Sequence, residues 1–381
     1  MFFCYSSLVA GFVVAACGGT DVASPGPVLS GQGVDLTGAD PGKTGILVTL
    51  SGEDLVSTGY DWTASSKAEG DPPAFVDGWS LSFDHVITTV ANVRLNADPD
   101  KDSGNPTAVG KVVASADGAW AVDLVKGGDV IGKSGSADEK ATRLVSFRSK
   151  GDGTAFDPTA RYAFGYDFVD ARASAKRVNL GTESDALYTE AVSKGWTMLY
   201  VGTATYKGPE PEAGSAFASL PKVVKFKIGL HNPSTYANCR NTDLNQVGGE
   251  FPRGVQVSAS ASTTAQITLH TDHMFWDQLN VEGTPLHFDA IAARANAAGE
   301  VTTEDLVAAD VTALSTRSGA KLPWRSLVSD YTAPSGQMKY NANGTSFARA
   351  NSLASYLAYS ATAGGHMNAD GECEIKNNFT P

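Results

Sequence analysis

The sequence predicts a mainly β protein, an antiparallel β-sandwich with a few packing helices, and three observations support that expectation. Short segments rich in Val, Tyr, Phe and Thr recur from residue 45 onward: GILVTL, GWSLSF, VITTVANVRL, GKVVASA, AWAVDLV, RLVSFRS and YAFGYDFV. Gly, Asp and Pro separate them, the punctuation of strands joined by turns. Helical periodicity is confined to a few later stretches. The chain has 381 residues, 42% of them hydrophobic and only 18% charged, so it can bury a sizeable core as one body or as two β-rich subdomains.

Residues 1–16, MFFCYSSLVAGFVVAA, carry no charge and form an apolar run too short to span a bilayer, as in a signal peptide. The string Val14-Ala15-Ala16-Cys17 that closes it resembles the bacterial lipobox. In that motif a peptidase cuts before a cysteine that carries diacylglycerol, so the resemblance implies lipidation of Cys17. A cell-envelope protein held to a membrane through its N-terminal lipid alone is therefore expected. Gly18 is not the Asp that commonly retains such proteins at the inner membrane, so the outer membrane is the expected place, on its periplasmic face or at the cell surface. Processing would leave Cys239 and Cys373 as the remaining cysteines, and an oxidising compartment favours their pairing over two separate thiols. Closing so long a loop would stabilise the fold by about 4 to 5 kcal/mol.

Residues 17–43, rich in Gly, Pro, Ser and Asp, read as a flexible tether. A β-rich domain is expected over 44–206, a linker or long hairpin loop over 207–221, and a β-rich domain with helices over 222–381. Ser184 is placed to cap a helix DALYTEAVSK that stops at Gly195. Thr302 with Asp305 forms a capping-box pattern before EDLVAADVTALS. A third helix is expected near SFARANSLASYLAYSA, with Phe347, Ala350, Leu353 and Leu357 on one face, ended by Gly364 and Gly365.

Several function classes are excluded by charge and spacing. A formal net charge of −12 without a Lys/Arg cluster argues against nucleic acid as a partner. Gly42-Lys43-Thr44 is not a phosphate loop, because residue 37 is Thr where the loop's first Gly belongs. Gly344-Thr345-Ser346 is similar to the serine segment of subtilisin-like proteases, but the His and Asp segments of that family are missing. No complete set of nucleophile, base and orienting group can be assembled, so a non-enzymatic protein is expected.

Two clusters suggest ions. Asp98, Asp100 and Asp102 alternate before Gly104, as in a calcium loop, though Gly104 stands at position seven and Val109 occupies position twelve. An acidic hairpin tip is the better expectation there. Of six histidines, His231, His270, His273 and His287 fall close together in the second half, and His366 follows. An uninterrupted strand would send His270 and His273 to opposite faces. If the strand AQITLH ends at His270 and Asp272 opens a helical turn, both imidazoles can reach one ion. Met274 and Met367 would add thioethers suited to Cu(I), and Asp272 and Asp277 could orient ring N–H groups.

This clustering of His and Trp resembles the extracytoplasmic copper proteins in which two histidines and an oxidised tryptophan, kynurenine, hold copper. The resemblance implies His270 or His273 as ligands and Trp276 as the tryptophan concerned. The expected function is thus a tethered, extracytoplasmic lipoprotein binding Cu or Zn through the second-half histidines. The alternative is a structural or partner-binding surface lipoprotein without a metal site.

Overall fold

The structure is a computed structural model and describes residues 33–62, 75, 77–211, 213–214, 216–276, 286–309, 340–341 and 352–379. The expected signal segment, Cys17, most of the tether, Asp277 and Ser346 lie outside these residues. No helix among the described residues is long and apolar enough to cross a membrane.

In chain order the strands of the first half are β1 (Val34–Asp35), β2 (Ile46–Ser51), β3 (Trp79–Asn96), β4 (Val112–Asp123), β5 (Val130–Ile131), β6 (Lys140–Phe147), β7 (Arg161–Phe168), β8 (Lys176–Arg177) and β9 (Met198–Tyr206). The second half adds β10 (Val223–Leu230), β11 (Ser234–Ala237), β12 (Val255–Gln256), β13 (Thr263–Leu269), β14 (Glu300–Thr302), β15 (Tyr340–Asn341), β16 (Gly365–Met367), β17 (Gly371–Glu372) and β18 (Glu374–Asn377). They form two sheets. The smaller runs β1-β6-β2-β13-β16-β17 with β5 beside β6. The larger runs β14-β10-β9-β3-β7-β11-β18-β15, with β4 and β8 off β3 and β12 off β7.

The expected β class holds, with one difference from the reading of the sequence. The sheets are mixed rather than purely antiparallel, since β2 runs parallel to β13 and β10 parallel to β14. Every residue of β2 is buried, which suits a strand enclosed between β6 and β13 and explains the unbroken apolar run ILVTL. Further, both sheets take strands from either side of residues 207–221. That segment joins β9 to β10, which pair antiparallel from Val223↔Thr205 to Leu230↔Met198, so it is the long hairpin loop of the two options.

One hydrophobic core joins the sheets. Ile46, Val48, Leu144 and Ile267 of the smaller sheet belong to the same buried cluster as Val86, Val90, Trp120, Phe164 and Tyr236 of the larger. Each such side chain contributes about 1.5–3 kcal/mol by leaving water. Tyr166 and Tyr236 stack at 4.8 Å and send their hydroxyls to the smaller sheet's end of the core, to the carbonyls of His366 (3.1 Å) and Thr362 (2.8 Å).

Among the described residues lie the helices α1 (Leu55–Thr58), α2 (Thr182–Lys194), α3 (Asp289–Ala292), α4 (Thr303–Val307) and α5 (Leu353–Thr362). In α2, Gly181 is the N-cap and Ser184 lies three residues inside, its hydroxyl accepting from the Gly181 N–H, so Ser184 is not itself the cap. Tyr188 and Ala191 pack α2 against Ile87 and Leu199 on the outer face of the larger sheet. The Thr302–Asp305 capping box is present. Helix α5, capped by Ser352, is buried along nearly its whole length. Phe347 and Ala350 of the expected helix lie outside the described residues.

Candidate metal centre

Strand β13 ends at Leu269, and His270 is the next residue. Beyond it the chain turns: Asp272 precedes a 3-10 turn, His273–Phe275, which the Phe275 N–H closes on the Asp272 carbonyl at 2.8 Å. The interruption expected from the sequence is therefore real, although the Asp272 side chain makes no capping hydrogen bond. The third histidine comes from pairing. β16 runs antiparallel to β13 with Thr268↔His366 in register, and the His270 N–H donates to the Gly364 carbonyl at 2.8 Å. His366 thus stands beside His270 although 96 positions separate them by number.

The three rings form one cluster. Centroids lie 4.4 Å apart for His270 and His366, 5.2 Å for His270 and His273, and 5.7 Å for His273 and His366. One nitrogen from each lies within 4.8 Å of the others, an arrangement that could hold a metal ion. The donor chemistry fits as well. His366 Nε2 is 3.1 Å from the Ala363 carbonyl, which can only accept, so the ring proton sits on Nε2 and the neutral ring carries its lone pair on Nδ1. The Nε2 of His270 is buried without a hydrogen bond.

Surrounding groups fix these rings. The Ser360 hydroxyl of α5 donates to the His273 carbonyl, and Tyr356 donates to the Trp276 carbonyl at 3.0 Å. The Trp276 ring covers His273 with centroids 3.7 Å apart and planes inclined by 30°. The turn after β16 is held through Asn368, whose N–H donates to the Gln266 carbonyl (2.8 Å) and whose side-chain oxygen accepts from the Gln266 N–H (3.1 Å). Asn368 adopts φ +60°, a left-handed conformation that Asn tolerates. Gly371 follows, where any Cβ would meet the Arg240 and Met367 carbonyls at 2.2 and 2.3 Å.

Two residues on this site were not singled out from the sequence. Glu53 and Asp370 face His270, their carboxylate oxygens 3.5 and 3.7 Å from its Nε2, and with it form a second potential ligand group. Glu53 follows β2, whose parallel register with β13 (Ser51↔Thr268) brings it here, so nothing near it in the sequence could have marked it. Burial and the neighbouring charges act on the ionisable groups here in opposite senses. Burial, reinforced by Asp370, Asp272 and Glu139, pushes the Glu53 carboxyl up to about 7, with His270 opposing. Burial also raises Asp272. For His270 burial disfavours the charged ring, but Glu53, Asp272 and Asp370 outweigh it and raise the pKa above the usual 6.5.

The other residues expected at ion sites go elsewhere. His231 is bound to Asp170 (2.9 Å) and the Gly195 carbonyl (3.1 Å), and His287 lies 3.7 Å from Asp77; neither joins the cluster. Met274 and Met367 are wholly buried members of the apolar core. In β16, Met367 faces away from its neighbour His366 by strand alternation. Asp98, Asp100 and Asp102 lie in the connection of the β3–β4 hairpin and are not gathered into a ligand group: Asp100 pairs with Arg161, and Asp102 accepts from the Gly104 N–H. A groove of about 570 Å³ opens beside this tip, lined by Pro99, Phe251 and three arginines. Arg161, Arg240 and Arg253 there are neutralised by Asp100, Glu250 and Glu374. Cys239 and Cys373 form a disulfide across a separation of 134 residues.

Fold and site together define a two-sheet β protein with a buried three-histidine cluster between strand ends. No family model, no characterised protein and no solved structure matches this chain.

Proposed function

We propose that this protein is a non-enzymatic, lipid-tethered protein of the bacterial envelope that holds one transition-metal ion, Cu or Zn, on His270, His273 and His366. The single observation that carries this reading is the convergence of three imidazoles from two segments, with ligand nitrogens within 4.8 Å of one another. Neutral imidazole is a borderline ligand that suits Cu(II) and Zn(II). The backbone acceptor on His366 and the packed indole on His273 are the kind of surroundings that fix such rings. With both methionines in the apolar core, the ligand set favours the divalent ions over Cu(I). The tether belongs to the same proposal and rests on Cys17 and the apolar run before it.

Titration of the full chain carrying Cys17→Ser with Cu(II), Zn(II) and Cu(I) at neutral pH tests the site. One ion bound more tightly than about 10 μM, roughly 7 kcal/mol, is the expected result. No binding at that level would leave a partner-binding lipoprotein as the better account. Intact-mass analysis of membrane-extracted protein tests the anchor, which requires loss of residues 1–16 and an added acyl mass.

A further inference from the structure

His270 belongs to two ligand groups at once, the inner one with His273 and His366 and an outer one with Glu53 and Asp370. Two donors that share an ion at about 2.0–2.1 Å in a tetrahedron stand about 3.3–3.4 Å apart. The separations of 3.5 and 3.7 Å from His270 Nε2 to Glu53 and Asp370 are close to that value. The two groups also differ in access to water. The Asp370 side chain is 69% exposed and those of Glu53 and His270 are partly covered, whereas His273 and His366 are buried.

We propose that Glu53, Asp370 and His270 form an outer position at which a hydrated divalent cation is caught before it passes to the three histidines. This rests on reading the histidine cluster as a metal centre. The chemistry changes along the way in the direction an incoming ion needs. Carboxylate oxygens replace water around a hard, hydrated dication, and imidazole nitrogens then replace the oxygens where borderline ions are held best. His270 stays bound throughout, so the ion is never released between positions. Both carboxylates are set in place by the backbone. Glu53 adopts φ +61°, an uncommon conformation for a side-chain-bearing residue, with its N–H held by Ser51 Oγ at 2.9 Å. Asp370 rides on the turn that Asn368 and Gly371 pin against β13 and Arg240.

The test is stopped-flow loading of the full chain carrying Cys17→Ser, followed by tryptophan fluorescence, comparing the parent with Asp370→Asn and Glu53→Gln. Removing a waystation raises the barrier in both directions. Association and dissociation of Cu(II) and Zn(II) should both slow, association by about three- to tenfold at low salt, and the effect should shrink as salt rises. Stoichiometry should stay at one ion and, because the carboxylates also lie beside the ligand His270, Kd should weaken by less than the association rate falls. Cu(I), which carboxylates bind poorly, should load at the parent rate in both variants. Unchanged association rates would overturn the proposal, and so would a weakened Kd with unchanged association, which would make the carboxylates ligands of the final site. Asp370 is exposed, so Asp370→Asn alone decides if Glu53→Gln fails to fold. A parent chain that binds no metal would overturn the metal centre itself. A parent that binds, with rates indifferent to Asp370, would sink only the outer position.

Discussion

Replacing both Cys239 and Cys373 by Ser should destabilise the protein strongly yet leave the histidine cluster in working order. The cross-link spans 134 residues. In the chain-entropy account a loop of that length removes about 17 cal/mol/K from the unfolded ensemble, or about 5 kcal/mol at 25 °C. The site is attached by other means. β16 is held to β13 by strand pairing and by the Asn368–Gln266 exchange, and Tyr166 holds the His366 carbonyl from the larger sheet. Urea unfolding followed by circular dichroism should therefore move to a lower midpoint by about 1.7 M, taking a slope near 3 kcal/mol per M. Metal affinity measured well below that midpoint should fall by less than about tenfold. A stability loss under about 1 kcal/mol would refute the loop-closure argument. A hundredfold loss of affinity with intact circular dichroism would refute the claim that pairing and Asn368 position His366.

Three further outcomes are expected. His273→Ala should abolish stoichiometric metal binding while the β-rich circular dichroism persists, and in the parent chain acid should release the ion, because protonation removes the imidazole lone pair; equilibrium dialysis across pH 5 to 8 reads both. Gly365→Ala should destabilise by about 1–3 kcal/mol and weaken metal binding, because its Cβ would come within 2.3 Å of the Tyr236 ring and push β16 aside; thermal unfolding and titration of one preparation would show whether the two losses go together. His231, raised by its hydrogen bond to Asp170 with burial opposing, should titrate above 6.5 by NMR and fall back toward that value in Asp170→Asn. For Asp170, burial alone would raise the carboxyl, but hydrogen bonds from His231 and Thr197 lower it. The pair's support is thus fullest between the unfolded pKa values of Asp and His. It is lost as pH rises through the His231 value and as pH falls through that of Asp170. An His231 pKa at or below 6.5 in the parent would contradict this.

Much of the strand inventory is legible in the sequence because burial leaves a local mark: ILVTL reads as a strand, and a break after AQITLH would let His270 and His273 approach one ion. Capping at Thr302 is equally local. What is not legible depends on pairing between distant segments. The parallel registry of β2 with β13 carries Glu53 to the site, and the β13–β16 registry selects His366 over His231 and His287, which lie nearer in the chain. At Asp98, Asp100 and Asp102 the imperfect register already favours an acidic hairpin tip over a calcium loop, and the Asp100–Arg161 pair accords with the tip. Proximity in sequence draws in His231 and His287 alongside His366, but Asp170 and Asp77 hold those two away from the cluster.

The strand order of the smaller sheet also imposes a timetable. β2 arises near the start of the folded body and β16 near its end, with β13 between them in space. The cluster is therefore incomplete during synthesis: until residues 366 and 370 arrive, His270 has neither its stacking partner nor the Asp370 carboxylate. If the chain is threaded across a membrane N-terminus first, as a lipoprotein is, the site is finished only on the far side. Under the proposed function, the ion taken up is then decided by the metals of that compartment, not by those of the compartment where the polypeptide was made.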